Sequence, residues 1–433
     1  MTDRLKIKRE RRILGLLERA EAALFPEGEL DALSAHLDKR AARSELDVAL
    51  DEARSHHDDV GRFVDRLERL DLAAASPSSD PKRRAYLERF GVAGVRRFRA
   101  GGSTHIFVMP VETFPRHVNN VYLVVEPSAD HAGARMLLFD VGSGMPSARR
   151  DFALGFAVLR AMWDLPDARW DRLDTIVVSH AHIDHFGGLN VAQKETSARI
   201  AVHELDARVL ACFDERVIVA SKDVDVFLRR AGVSVEERAE LASMYSSSKS
   251  FFKNVEPDRM LRDGDLVSAG YRVHHVPGHC PGLICLQVHD VLLTSDHVLA
   301  RITPHQFPQA ITAFGGLENY FHSLAKIRKL EGIDLALGGH EEPIDDLRTR
   351  IDQIALFHRE RLRKVLELCA APKTVLEVTS GMFGKQEGYG TLLALEEAGA
   401  HVEYLYQLGR LRIDNLQEVA SAVDPVIRYV ARG

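Results

Sequence analysis

Four potential metal ligands fall within six residues of the segment Thr175-Ile-Val-Val-Ser-His180-Ala-His182-Ile-Asp184-His185-Phe-Gly-Gly188. The apolar run that precedes them reads as a β-strand ending where the ligands begin. His180 and His182 are two apart, so an extended backbone points both imidazoles to the same side. Asp184 and His185 follow as the chain turns. Adjacent side chains diverge, so this pair can serve a second position beside the first. Gly187 and Gly188 permit a close turn into the next element. Imidazole and carboxylate together suit zinc, and they also suit iron or manganese. A lone histidine is more often structural, but four ligands at one strand end point to metal chemistry.

Three later segments each add one such residue. Val276-Pro-Gly-His279 follows a strand predicted over 271–276. Leu292-Leu-Thr-Ser-Asp296 ends another strand with a carboxylate, and Leu335-Ala-Leu-Gly-Gly-His340 ends a third with histidine. Any one of them has a bland reading as a turn histidine or a strand-terminal acid. Three in series behind the first motif make that reading improbable.

In this series the sequence resembles the metallo-β-lactamase superfamily, whose pattern is His-x-His-x-Asp-His followed by His, Asp and His at later strand ends. All seven positions are filled, and the match covers roughly residues 105–345. The resemblance implies an α/β fold, the four-layer αββα sandwich, with metals at one edge. It implies one ion held by His180, His182 and His279, and a second held by Asp184, His185 and His340, with Asp296 bridging both. The implied cofactors are two zinc ions, with iron or manganese as the other candidates. The implied chemistry is attack by a bridging hydroxide on a carboxylic ester, thioester or lactone, with Asp184 and Asp296 as catalytic carboxylates. Asp140, in Leu138-Phe-Asp-Val-Gly142, resembles the family's early strand-end acid and would orient the ligand loop. A turn-capping role is its alternative.

A narrower resemblance rests on Ser295-Asp-His-Val-Leu-Ala-Arg-Ile-Thr-Pro304, Gly338-Gly-His-Glu-Glu-Pro343 and His358-Arg-Glu-Arg-Leu362. These segments are similar to the glyoxalase-II-like and lactamase-like branch with a C-terminal winged-helix unit, which includes thioesterases and an endoribonuclease. Two positions depart from common family patterns. Cys280 stands where Thr or Ser often follows the third metal histidine. Leu283 replaces the second histidine of a Gly-His-x-x-Gly-His motif, which weighs against a glutathione thioester as substrate. Cys280 has no identified base and reads as packing against the site. His297 and His305 lie near it in sequence, with a substrate contact or a supporting role open to each.

The elements that must position these residues read as strands interleaved with helices. Predicted strands run over 104–110, 119–126, 135–140, 174–179, 198–203, 271–276, 283–289, 291–295 and 333–337, with helices over 151–163 and 317–331 among them. Residues 205–262 look mainly helical, with a loop at 246–250, and would shape a pocket together with the 298–316 loop. Phe307 and Phe314 in that loop hint at a partly apolar acyl substrate. Before the catalytic domain (85–345), residues 1–75 read as a helical extension. The apolar stripe Val60, Phe63, Val64, Leu67 and Leu70 is its packing face, for the main domain or for a second copy in a homodimer. Residues 73–81 read as a linker. Residues 346–433 read as a winged-helix-like unit: helices near 346–369, 373–381 and 391–408, then a wing at 410–414.

The whole chain bounds the function further. It has 433 residues, 45% hydrophobic and 28% charged, which fits two or three soluble globular units. No apolar run approaches the ~18 residues of a membrane span, and no signal core is present, so a cytoplasmic protein without a membrane partner is expected. The four cysteines lack Cys-x-x-Cys spacing and read as reduced thiols. The net charge is −6, and residues 351–433 hold ten Lys and Arg against eleven Asp and Glu. That balance disfavours nucleic acid as a partner and favours a small acyl substrate. The competing functions are a phosphodiesterase or ribonuclease on the same site, a mononuclear iron sulfur dioxygenase, and a non-catalytic binding protein using the C-terminal unit.

Overall fold

The structure, a computed structural model, describes residues 95–115, 117–127, 133–163, 165–247, 252–268 and 270–432. The expected N-terminal helices, their apolar stripe and the 73–81 linker lie outside these residues. The chain divides into two compact units: Met1–Asp174 with Val191–Ala198, and Thr175–Asn190 with Arg199–Gly433.

The first unit is an antiparallel meander, β1 (Arg96–Ala100), β2 (Thr104–Phe114), β3 (His117–Pro127) and β4 (Ala134–Phe139), followed by helix α1 (Pro146–Trp163). Both faces of β2 are covered, since Ile106, Phe107, Val108 and Met109 are all buried. The helix passes close to β2 because it carries Gly155 there; a Cβ at that position would meet Met109 Sδ at 2.8 Å. Asp151 Oδ2 on α1 accepts the Glu112 N–H at 2.8 Å, and Asp174 Oδ2 accepts the Met136 N–H at 2.7 Å. Asp140 ends β4, buried, with its backbone in the left-handed region at φ 68°.

In the second unit β5 (Thr175–Val178) leads into the short helix α2 (Ile183–Phe186). β5 pairs in parallel with β6 (Arg199–His203), and β6 pairs in parallel with β7 (Arg259–Leu261). Between β6 and β7 lie α3 (Glu204–Ala211), α4 (Phe213–Ala231) and α5 (Val235–Ser247). A five-stranded sheet follows, built from β8 (Leu266–Val267), β9 (Tyr271–His275), β10 (Ile284–Val288), β11 (Val291–Ser295) and β12 (Leu335–Gly338), in the order β12-β11-β10-β9-β8. Its pairs are antiparallel except β11 with β12, which is parallel because α6 (Leu317–Ile327) makes the crossover. The run predicted as helix to 331 stops at Ile327, where tighter turns take over and Gly332 adopts φ 70°.

The C-terminal part of this unit contains α7 (Leu347–Leu368), α8 (Val375–Phe383), α9 (Tyr389–Gln407), the antiparallel pair β13 (Leu411–Ile413) and β14 (Tyr429–Ala431), and α10 (Leu416–Ser421) between those strands. Thr374 and Glu377 cap α8 reciprocally, a Thr-x-x-Glu box that fixes its start. Val365, Val378, Leu392, Leu395 and Val402 close a core with Val224 and Leu228 of α4. Among the described residues no helix is long and apolar enough to cross a membrane.

Candidate metal centre

Every candidate ligand sits just beyond the end of a strand of the second unit. β5 delivers Ser179 and His180. The chain stays extended through His182 (φ −94°, ψ 143°), whose carbonyl then accepts the first turn of α2. This places His180 Nε2 2.9 Å from His182 Nδ1. Asp184 and His185 occupy that first turn. His279 follows β9, and its Nε2 lies 3.0 Å from the same His182 Nδ1. Asp296 follows β11. A register shift between Leu293 and Ser295, with Ser295 at φ 47°, turns the chain there. Gly339 separates β12 from His340 and must be glycine, because a Cβ would meet Asp296 Oδ1 at 2.4 Å and His185 Cε1 at 3.0 Å.

The seven side chains form one cluster. His180, His182 and His279 have ligand atoms within 4.8 Å of one another, as do His180, His185 and Asp296. Asp296 Oδ2 is the common point: it lies 3.5 Å from His185 Nε2, 3.7 Å from His279 Nε2 and 3.5 Å from His340 Nε2. Asp184 Oδ2 lies 3.5 Å from His185 Nε2 and 3.7 Å from His340 Nε2. His180 and His185 are completely buried.

The electrostatics suit a cation. Burial, and then the neighbouring imidazoles, push His180 and His182 well below the ordinary histidine pKa, and burial also lowers His279. All three are therefore neutral, as metal ligands must be. Burial also works against the charged form of Asp296, but the charges and hydrogen bonds of His340 and His185 outweigh it and hold the carboxylate well below its usual range. For His340 the same carboxylate overcomes burial and raises the pKa to about 9. The single hydrogen on a neutral His182 ring cannot satisfy both nitrogens that face its Nδ1. Asp296 Oδ1 is buried with no hydrogen-bond partner among the described residues. Nitrogen lone pairs and carboxylate oxygens converging without enough protons fit divalent ions bound by His and Asp.

Several supporting residues were not singled out in the sequence. Ser295 Oγ donates to Ser179 Oγ at 2.7 Å, and Ser179 Oγ lies 3.0 Å from His180 Nδ1. Each serine directly precedes a candidate ligand, which is the one signal the sequence offered. Asp206 on α3 is fully buried and accepts the N–H groups of Ala181 at 2.8 Å and Gly282 at 2.9 Å, tying together the loops of His180 and His279. Burial raises its carboxyl to about 6. Cys280 packs there with its thiol 3.4 Å from Asp206 Oδ2, and burial raises the thiol pKa far above the range of a nucleophile. All four cysteines are free. His297 is buried edge-on against Tyr320. His305 pairs with Glu396 and Glu397 of α9; their hydrogen bonds overcome burial and raise its pKa to about 9. Phe307 packs against His182 and His279 at 6.0 and 6.3 Å between ring centroids, whereas Phe314 is exposed.

The sequence model of the metallo-beta-lactamase superfamily matches residues 115–368, more than half of the chain. The chain belongs to the metallo-beta-lactamase superfamily. Its α/β architecture of mixed sheets and helices is that of the superfamily, whose members are typically metal-dependent hydrolases. Among solved structures it is similar to a beta-lactamase domain protein from Burkholderia ambifaria, at 25% identity and a TM-score of 0.62, over 78% of this chain and 94% of that one. It is also similar to a metallo-beta-lactamase family protein from Thermus thermophilus, at 25% identity and a TM-score of 0.57, over 76% of this chain and 98% of that one. No curated protein matches.

Proposed function

We propose that the chain is a dinuclear metal-dependent hydrolase of carboxylic esters, thioesters or lactones. His180, His182 and His279 would hold one ion, Asp184, His185 and His340 the other, and Asp296 would serve both. The position of Asp296 Oδ2, within 3.5–3.7 Å of imidazole nitrogens from both sets, carries this reading. Two divalent ions, zinc being the first candidate, would supply a water activated near neutral pH and a Lewis acid for the carbonyl oxygen.

The chain's own residues do the rest. His279 presents Nε2 to the site because its Nδ1–H is committed to the His305 carbonyl at 2.6 Å. Asp184, on the first turn of a four-residue helix and partly exposed, is placed to hold or pass on a proton at Oδ2. Phe307 gives the His182 and His279 side an apolar wall that keeps bulk water from the imidazole edges and suits an acyl chain. No serine or cysteine nucleophile is required, and the buried Cys280 thiol stays out of the reaction.

Elemental analysis of protein purified without added metal or chelator, combined with an ester, thioester and lactone panel, tests the reading. About two zinc ions per chain and hydrolysis that is lost in a folded Asp184→Ala variant are expected. About one iron per chain with oxygen uptake would replace it with the dioxygenase reading. Activity confined to phosphodiesters would replace it with the nuclease reading.

A further inference from the structure

The loop that follows Asp296 runs along α9, and α9 faces it with buried acids. Glu396 and Glu397 are 2% and 5% exposed in a helix interior, where carboxylates are costly unless each is matched. Glu403 accepts the N–H groups of Gln309 and Ala310 at 2.6 and 3.0 Å. Glu397 does something more specific: its Oε2 accepts the Gln306 N–H at 2.8 Å. The carbonyl of the same peptide group, that of His305, accepts the Nδ1–H of His279 at 2.6 Å. One peptide is therefore polarised from both ends, by an anion on its N–H and an imidazole on its oxygen, and such bonds strengthen one another. Arg361 Nη1 on α7 reaches Glu397 Oε1 at 2.5 Å, and His305 Nδ1 lies 3.4 Å from Oε2. These partners outweigh the effect of burial and keep the carboxyl ionised.

We propose that Glu397 is a positioning residue for the metal centre: it orients His279 and raises the basicity of its Nε2 through the His305–Gln306 peptide. The inference rests on the reading of His279 as a ligand. A carboxylate behind a metal-bound histidine is a common arrangement; here a peptide group stands between them, and the carboxylate comes from the C-terminal helices. Those helices thereby become part of the metal centre.

The test uses the full chain, with zinc affinity measured by chelator competition and the visible spectrum of the cobalt-loaded protein. Glu397→Gln keeps the shape and removes the charge. It should weaken one of the two zinc sites by about 10- to 100-fold and shift the cobalt spectrum. Glu397→Asp retains the charge and should fall between it and wild type. If the Gln variant fails to fold, the Asp variant carries the test, and wild-type affinity in it overturns the proposal. Glu403→Gln loosens the neighbouring clamp on the same loop and should leave both zinc affinities unchanged. Equal losses in Glu397→Gln and Glu403→Gln would make Glu397 merely structural. Wild-type affinities and spectrum in Glu397→Gln also overturn the proposal. His279→Ala separates the two readings: if it keeps both ions at full affinity, the ligand assignment itself fails. If it loses one ion while Glu397→Gln loses none, only the positioning role fails.

Discussion

A methyl group at Gly339 would lie 2.4 Å from Asp296 Oδ1 and 3.0 Å from His185 Cε1, closer than real side chains approach one another. The Asp296 side chain is short and surrounded, so it relieves the overlap only by rotating its carboxylate away from the three imidazoles that share Oδ2. Gly339→Ala is therefore expected to keep the fold, lose at least one metal equivalent, and lower hydrolysis about 10- to 100-fold. Full metal content with wild-type turnover would show that Asp296 does not need its present orientation. At this scale the seven candidate ligands were legible because His and Asp in a short window at a strand end have few bland explanations. Their supports were not. Ser295 reaches Ser179 across 116 positions, Asp206 reaches Ala181 and Gly282 across 25 and 76, and Glu397 reaches Gln306 across 91. No local pattern encodes such pairings, which exist only once the strands are assembled.

At the scale of elements, α3 is the piece that couples two ligand loops, and its coupling runs through one carboxylate. Asp206→Ala would leave the Ala181 and Gly282 N–H groups buried without acceptors. At about 1–3 kcal/mol for each of the two unsatisfied groups, a loss of roughly 2–6 kcal/mol is expected in urea unfolding of the metal-free protein. Asp206→Asn, which keeps one acceptor, should lose less. Equal stability of the Ala variant and wild type would mean that water replaces the carboxylate. The strands around the site were legible to within a few residues, because short continuous apolar runs such as Val291–Ser295 are bounded by polar turn residues, here Asp290 and Asp296. The three-residue strand β7 and the two-residue strand β8 were missed, since so short a run carries no pattern. The residues at 205–262 read as mainly helical and pocket-shaping, and only the fold reveals that their first helix holds Asp206 against the loops of His180 and His279.

For the molecule as a whole, the histidines held away from the candidate ligand set make stability depend on pH in a direction that can be worked out. Burial pushes His358 down to about 3 and His203 to about 4, and it also lowers His401, His274 and His275. His358 shows the balance clearly. Around it stand His401 at 3.1 Å and the Glu397 carboxylate at 4.0 Å from α9, Arg361 on its own helix, and Tyr320 and Phe321 from α6. The single carboxylate, already engaged by Arg361, does not offset the desolvation. In the unfolded chain the same group takes up a proton near pH 6.5. Its contribution to stability is thus fully present above 6.5 and is lost as the pH falls toward about 3, by up to roughly 1.4 kcal/mol per pH unit. His305, raised to about 9, acts in the opposite sense: its contribution is full below 6.5 and is lost as the pH rises through 9. Urea midpoints measured with chelator present should therefore be highest near neutrality. His358→Asn removes one depressed group whatever its effect on absolute stability, so its loss between pH 6.5 and 5 should be smaller than that of wild type by an amount approaching ~2 kcal/mol. An acid limb of the same slope in both proteins would show that His358 is protonated in the native state and that Glu397 has charge to spare for it, contrary to the role assigned to Glu397 at the metal centre.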